Sequence, residues 1–183
     1  MAPHISIDLE TLSTEPNAFI IAIGAARFDP FGDGIIESFY TAVDLNEVPA
    51  HVTKRFDLSP DTIGWWLHKD RSEARNNLAK GCKTDIASAL EGFCMWFGDE
   101  PLPVWGNGAT FGNVILRQAF KVLGMDPPWT YRFDRDLRTL KALAPELAID
   151  YSQGGVAHYA LDDAIAQALM VQDVVNHLHL TTI

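Results

Sequence analysis

An α/β fold with a mixed sheet is the class this chain predicts, and three observations carry the prediction. Three β-patterned runs come first with short connections between them, which suggests an antiparallel meander. Helical patterns alternating with short strand-like pieces follow. No internal repeat, low-complexity tract or interdomain linker interrupts the order, so the 183 residues are expected to form one domain, 1–183, with a substantial core.

The first strand is expected at His4 to Glu10, where Ile5, Ile7 and Leu9 alternate with Ser6, Asp8 and Glu10. "FIIAIGAARF", Phe19 to Phe28, is apolar on both faces and suits a central strand. "IIESFYTAV", Ile35 to Val43, is the third, preceded by the turn-forming "DPFGDG". "SPDTIGWWLH" opens a helix, with Ser59 as N-cap, Pro60 in the first turn and Asp61 at the positive helix end. On it Trp66 is expected to join Ile63 and Leu67 on the core face, with Trp65 about 100° away. Ile86, Leu90, Phe93 and Phe97 mark the next helix. Val104-Trp105 form a short strand, Val114 to Val122 a helix, Tyr131 to Phe133 a fifth strand, and "RDLRTLKALA" a helix after it. The last helix should run from about Tyr159 to His177 with Leu161, Ile165, Leu169 and Val175 inward.

Composition narrows the function. A formal charge of −10 argues against broad adhesion to nucleic acid or anionic membrane, yet an enzyme holding divalent metal on clustered carboxylates is acidic for that reason. Two basic groups, Lys69, Arg71, Arg75, Lys80 and Arg132, Arg135, Arg138, Lys141, read as solvated helix faces. No run approaches the ~20 apolar residues of a membrane span. "MAPHISIDLE" shows no signal-peptide pattern, and Cys82 and Cys94 are too few for a disulfide framework, so a cytoplasmic location without membrane partners is expected. His177 and His179 read as a solvated tail.

Chemistry concentrates in two places. Asp8 and Glu10, two apart on a strand, project from one face; they either face water or repel until a cation lies between them, and carboxylate oxygens suit Mg²⁺ or Mn²⁺. In "HYALDDAIAQA", His158 stands at the mouth of a helix with Asp162 and Asp163 in its opening turns. The aspartates can simply favour the helix dipole. Residues five apart on a helix are about 140° apart, so His158 meets Asp163 only if it precedes the helix proper, and periodicity does not choose between Asp162 and Asp163.

Taken together, "SIDLETLST", with Asp8 and Glu10, and "HYALDDA", with His158 and Asp163, resemble the first and third motifs of the DEDDh branch of the DnaQ-like 3′–5′ exonucleases, which have a ribonuclease H-like fold. "TIGWWLHKD" and "WGNGATFGNVIL" are similar to compact phage and bacterial exonucleases acting on RNA or DNA ends, and the resemblance runs from Ile5 to about Leu169. It implies release of nucleoside 5′-monophosphates from single-stranded RNA or DNA 3′ ends by a two-metal Mg²⁺ or Mn²⁺ mechanism, the ions ~3.5–4 Å apart. Asp8, Glu10 and Asp163 would be metal ligands and His158 the general base. Thr11, through its backbone N–H, and Leu12 would grip the terminal nucleotide; Phe111 and Trp65 join this substrate-binding group, Phe111 also packing its helix on the sheet and Trp65 stacking on a base. A homodimer occurs among relatives.

One position departs from the pattern. The second motif should place an aspartate after the phenylalanine, and here Phe111 is followed by Gly112. Asn113 offers a neutral oxygen but faces another way, so the second ion is weakened and the enzyme impaired or inactive. The alternative is a nuclease-like module that binds nucleic acid or protein without cutting. "GNGATFG" also mimics a dinucleotide-binding loop, but it sits mid-chain after a short strand with no ribose-binding acid ~20 residues on.

Overall fold

Alternating and β-branched sequence at the N-terminus forms the expected meander in the computed structural model, which describes residues 2–81, 83–108, 110–147 and 158–183. The elements in order are β1 (His4–Thr11), β2 (Ile20–Phe28), β3 (Glu37–Val43), α1 (Ala50–Thr53), α2 (Pro60–Leu67), α3 (Ser72–Lys80), β4 (Lys83–Thr84), α4 (Ile86–Phe97), β5 (Val104–Gly106), α5 (Gly112–Leu123), β6 (Asp134–Asp136), α6 (Leu137–Lys141) and α7 (Ala160–His177). The sheet order is β4-β3-β2-β1-β5-β6. β1, β2 and β3 pair antiparallel, while β4, β5 and β6 join by parallel pairing. The fold class is therefore the expected α/β mixed sheet, and β2 has the interior position its two apolar faces suggest.

Both faces of the sheet are covered. Ile5, Ile7 and Leu9 pack with Leu90, Phe93 and Phe97 of α4 and Ile115, Leu116 and Phe120 of α5. On the other face α6 and α7 cover Ala26, Phe28 and Trp105. Along that second face the register puts Ser6 beside Ala26, Asp8 beside Gly24 and Glu10 beside Ala22. α7 meets these small residues with Ala160, Ala164 and Ala168, all fully buried. Small faces on both partners let the helix lie low, as in any close backbone approach. The inward stripe of α7 is alanine and valine with Gln167 and Gln172 among them; of the residues expected inward, Val175 is buried and Ile165 packs half-buried on the core, while Leu161 and Leu169 are half-buried.

Other expectations shift for local reasons. Tyr131–Phe133 is a 3₁₀ turn, and the strand falls at Asp134–Asp136, where Asp134 pairs with Val104 and accepts hydrogen bonds from Trp129 and Arg117. The helix after it is only Leu137–Lys141, started by the Asp136 side chain accepting from Arg138 N–H. β4, too short to show a period, makes a sixth strand. Ser72–Lys80 is helical with few apolar residues to announce it. Leu67 is 69% exposed although Trp66, its neighbour, is buried. Cys94 is a half-buried free thiol and Cys82 lies outside the described residues. Among the described residues no helix is long and apolar enough to cross a membrane.

A Cβ on Gly24 would overlap the Ala160 carbonyl and Leu161 nitrogen of α7. Gly24→Ala is thus expected to cost about 3 kcal/mol in urea unfolding, the upper range for overpacking. Gly64, in α2, has open space around its Cβ position. Gly64→Ala should instead stabilise by about 0.5–1 kcal/mol, and equal effects of the two substitutions would refute this packing account.

Candidate active site

The acid cluster is assembled where α7 begins over β1. β1 ends in a bulge between Glu10 and Thr11, a device that re-aims side chains at a strand end. Asp8 and Glu10 point toward α7, as the period of two requires, but into a covered layer: Glu10 is 7% exposed and Asp8 half-buried. α7 starts at Ala160, so His158 precedes the helix proper. That condition lets it reach Asp163: His158 N–H donates to Asp163 Oδ2 at 3.1 Å. His158 has φ +64°, left-handed backbone that is rare for a residue with a side chain and clusters at functional sites.

The outcome is three carboxylates, Asp8, Glu10 and Asp163, each with an oxygen within 4.8 Å of the other two. Asp162 does not belong to this group. Burial, then the Asp163 charge, pushes the Asp8 carboxyl up to about 8, against a lowering by its hydrogen bond from Gln167. Burial, then Asp8 and Asp163, pushes Glu10 up to about 9. Asp163 is raised by burial, partly offset by His158. Burial, then the Arg71 guanidinium, holds His158 below the ordinary imidazole value. Three acids that oppose one another's ionisation, with Glu10 Oε1 buried and without a hydrogen-bond partner among the described residues, are a donor set suited to a hard divalent cation.

Sequence reasoning missed Gln167 and Tyr40. Gln167, 6% exposed, donates Nε2 to Asp8 Oδ1 at 2.8 Å. It lies one helical turn beyond Asp163, and an amide beside Ala164 and Ala168 in the small-residue stripe was the available signal. Tyr40 shares a cross-strand row with Gly24 and Asp8 and meets the Tyr159 ring at 4.7 Å. The start of α7 is thereby seated between Asp8 and Tyr40.

The remaining predicted residues divide. Trp65 reaches the site, its ring 4.8 Å from that of His158. Thr11 is buried, its hydroxyl donating to Ser13 O at 2.6 Å and its carbonyl accepting from Trp66 Nε1 at 2.9 Å. Leu12 and Phe111 are half-buried against the core. Gly112 opens α5 beside Ile7, the chain neighbour of Asp8; a Cβ there would lie 3.8 Å from Ile7 Cδ1, ordinary contact. Asn113 donates Nδ2 to Val104 O at 2.8 Å, so its amide is committed to β5. The basic groups are more than solvated faces: Arg75 donates to the carbonyls of Trp66 and His68, Arg71 stacks on Trp65, and Arg138 reaches Asn107. Lys80's side chain lies outside what is described. His177 pairs with Glu146 instead of fraying.

Comparison with known proteins adds three findings. The family model of the 3′–5′ exoribonuclease Rv2179c-like domain matches residues 3–175. No curated protein sequence matches the chain. Among solved structures, E. coli exonuclease I in complex with a dT13 oligonucleotide superposes with a TM-score of 0.65 at 20% identity, covering 98% of this chain and 43% of that one. The zinc-bound form of the E. coli exonuclease I–ssDNA complex gives 0.65 at 19%, covering 96% and 41%. Cell-death related nuclease 4 gives 0.61 at 17%, covering 96% and 64%. At these identities the likeness is one of fold, and the chain spans less than half the length of exonuclease I.

Because the folded pKa values of Asp8 and Glu10 lie above those of free carboxyls, the folded state holds extra protons from about pH 4 to about 9. Unfolding then becomes easier as pH rises through that window. Melting in EDTA should drop from pH 5 to pH 9, and Asp8→Asn with Glu10→Gln should flatten the slope. A metal-free melting temperature that rises over this range would contradict the burial argument.

Proposed function

Since the chain belongs to the Rv2179c-like family of 3′–5′ exoribonuclease domains, we propose that it is a divalent-metal-dependent exonuclease of the DEDDh branch, handicapped by Gly112. The substrate in this reading is the 3′ end of a single strand, RNA by its family and DNA by analogy with the exonuclease I complexes. The carrying observation is the convergence of Asp8, Glu10 and Asp163 on one spot with His158 beside them.

These three residues would hold Mg²⁺ or Mn²⁺, whose bound charge makes water a better nucleophile and steadies the leaving 3′-oxygen. His158 is the general base: its depressed pKa keeps the imidazole neutral near pH 7, ready to take a proton from the attacking water. As water adds to phosphorus, the bond to the 3′-oxygen breaks, leaving a nucleoside 5′-monophosphate. Gln167 holds Asp8 Oδ1 by one hydrogen bond, which fixes how that carboxylate presents its other oxygen. Thr11 N–H and the Leu12 side chain, at the bulged end of β1, are the contacts for the terminal nucleotide, joined by Phe111.

Gly112 supplies no carboxylate to a second ion, and Asn113 is turned to β5. That favours a second reading, in which the chain binds nucleic acid or protein without cleaving. The two separate in one assay: release of nucleoside monophosphate from 3′-labelled single-stranded RNA and DNA, with Mg²⁺ or Mn²⁺, by the protein and by Gly112→Asp. The substitution fits the space, since the Cβ makes only ordinary contacts and an acid at a helix start is favoured. Gly112→Asp is expected to cleave about 100-fold faster or more, given that even outer-shell partners of a metal are worth about 10–100-fold. Equal rates would free residue 112 of any role, and silence from both proteins would leave binding as the function.

Gln167→Leu, in the active background, should weaken metal affinity about 10–100-fold. An unchanged metal titration by calorimetry would remove Gln167 from the site.

A further inference from the structure

Trp65 is braced where a substrate-stacking residue would be left free. Its ring stands 4.8 Å from the His158 ring at 89°, and the Arg71 guanidinium carbon lies 4.3 Å over it. Trp66 meets it at 5.1 Å, nearly perpendicular. The helix that carries Trp65 is fixed at both ends to the strand that carries Asp8 and Glu10. Ser59 N–H donates to Leu12 O at 2.9 Å, and Trp66 Nε1 donates to Thr11 O at 2.9 Å. Arg75 holds the C-terminal turn of α2 through the carbonyls of Trp66 and His68.

His158 needs such a brace. It stands outside α7 on left-handed backbone, and its hydrogen bond to Asp163 runs from the backbone N–H, not from the ring. Against the ring itself stands the Trp65 indole. An edge-to-face aromatic contact sets both distance and angle, and a stacked guanidinium limits the indole's own rotation.

We propose that Trp65, backed by Arg71, is a positioning residue that holds the His158 imidazole in place for its work as base. The proposal rests on the exonuclease reading for the base, and on geometry alone for the holding. Trp65 is then no base-stacking platform: its ring is engaged by Arg71 and His158. α2 and the turn at Lys69–Arg71 act as a scaffold that ties the His158 ring to the end of β1, so the base and the strand-borne acids keep one frame of reference.

Two measurements test it. The first is NMR of the histidine ring protons, with His158 identified by loss of its signal in His158→Gln. The His158 ring signals should be displaced from those of exposed His51 and His68 by the indole ring current. Trp65→Leu should abolish the displacement, Trp65→Phe should keep part of it, and Arg71→Leu should reduce it. A displacement that survives Trp65→Leu overturns the proposal. The second is single-strand cleavage in the Gly112→Asp background. There Trp65→Leu should lower kcat about 10–100-fold with KM nearly unchanged, as misplacement of a catalytic group does, and Trp65→Phe should restore most of it. A raised KM with kcat intact would make Trp65 a nucleotide contact and overturn the proposal. If Gly112→Asp cleaves nothing, the exonuclease reading fails, while the ring-current result still decides whether Trp65 holds His158. Trp65 is 38% exposed, so its replacement leaves the core, anchored by Trp66, in place.

Discussion

The seating of α7 on β2 at Gly24 is the contact on which the rest of the site depends. Only a residue without a side chain allows the Ala160 carbonyl so close to the strand, and alanines on both sides continue the fit. This approach lowers the start of α7 onto the strand pair. It brings Asp163 to Asp8 and Glu10, covers those two acids, and leaves His158 just outside the first turn. A larger residue at position 24 would lift the helix start and separate the carboxylates together.

That contact has an electrostatic consequence. Acids on an exposed strand would ionise freely, with little cost in repulsion through water. Beneath α7 burial opposes each charge and the neighbouring acids oppose it further, which pushes the Asp8 and Glu10 carboxyls well above the ordinary carboxylate range. The protein keeps a destabilised arrangement whose natural relief is a cation, and Gln167 supplies one donor without neutralising anything. Strain of this sort is tolerated at functional sites because the surrounding core over-determines it. Here the core on the far face of β1, with Ile5, Ile7 and Leu9 under α4 and α5, does so.

The sheet's change of direction locates the remaining parts. β1 is antiparallel to β2 on one side and parallel to β5 on the other. The loop after β5, which carries Phe111 and leads to Gly112, therefore leaves the sheet at the same edge as Glu10, Thr11 and Leu12. Ligands of open α/β sheets gather at such an edge. α2 closes it from the side of β1, pinned through the carbonyls of Thr11 and Leu12.

The sequence alone determined the class of fold, the strands β1 to β3, the capped start of α2 and the pairing of Asp8 with Glu10, because period, turn chemistry and capping are local properties of consecutive residues. It also held the two motifs whose order implied an exonuclease. Its periodicity left Asp162 and Asp163 equivalent, with only the motif resemblance favouring Asp163; it put Leu161 and Leu169 on the core side of α7, placed Leu67 in the core, and made Tyr131–Phe133 a strand. Each of these turns on what an element packs against, and hydrophobicity does not reveal that when the contact is made by alanine and glycine. Tertiary structure decided that Asp163 joins the cluster, that Gln167 touches Asp8, and that Trp65, with Arg71 stacked on it, stands against His158. Those residues are far apart in the chain, and only the closeness of α7 and α2 to the end of β1 brings them together.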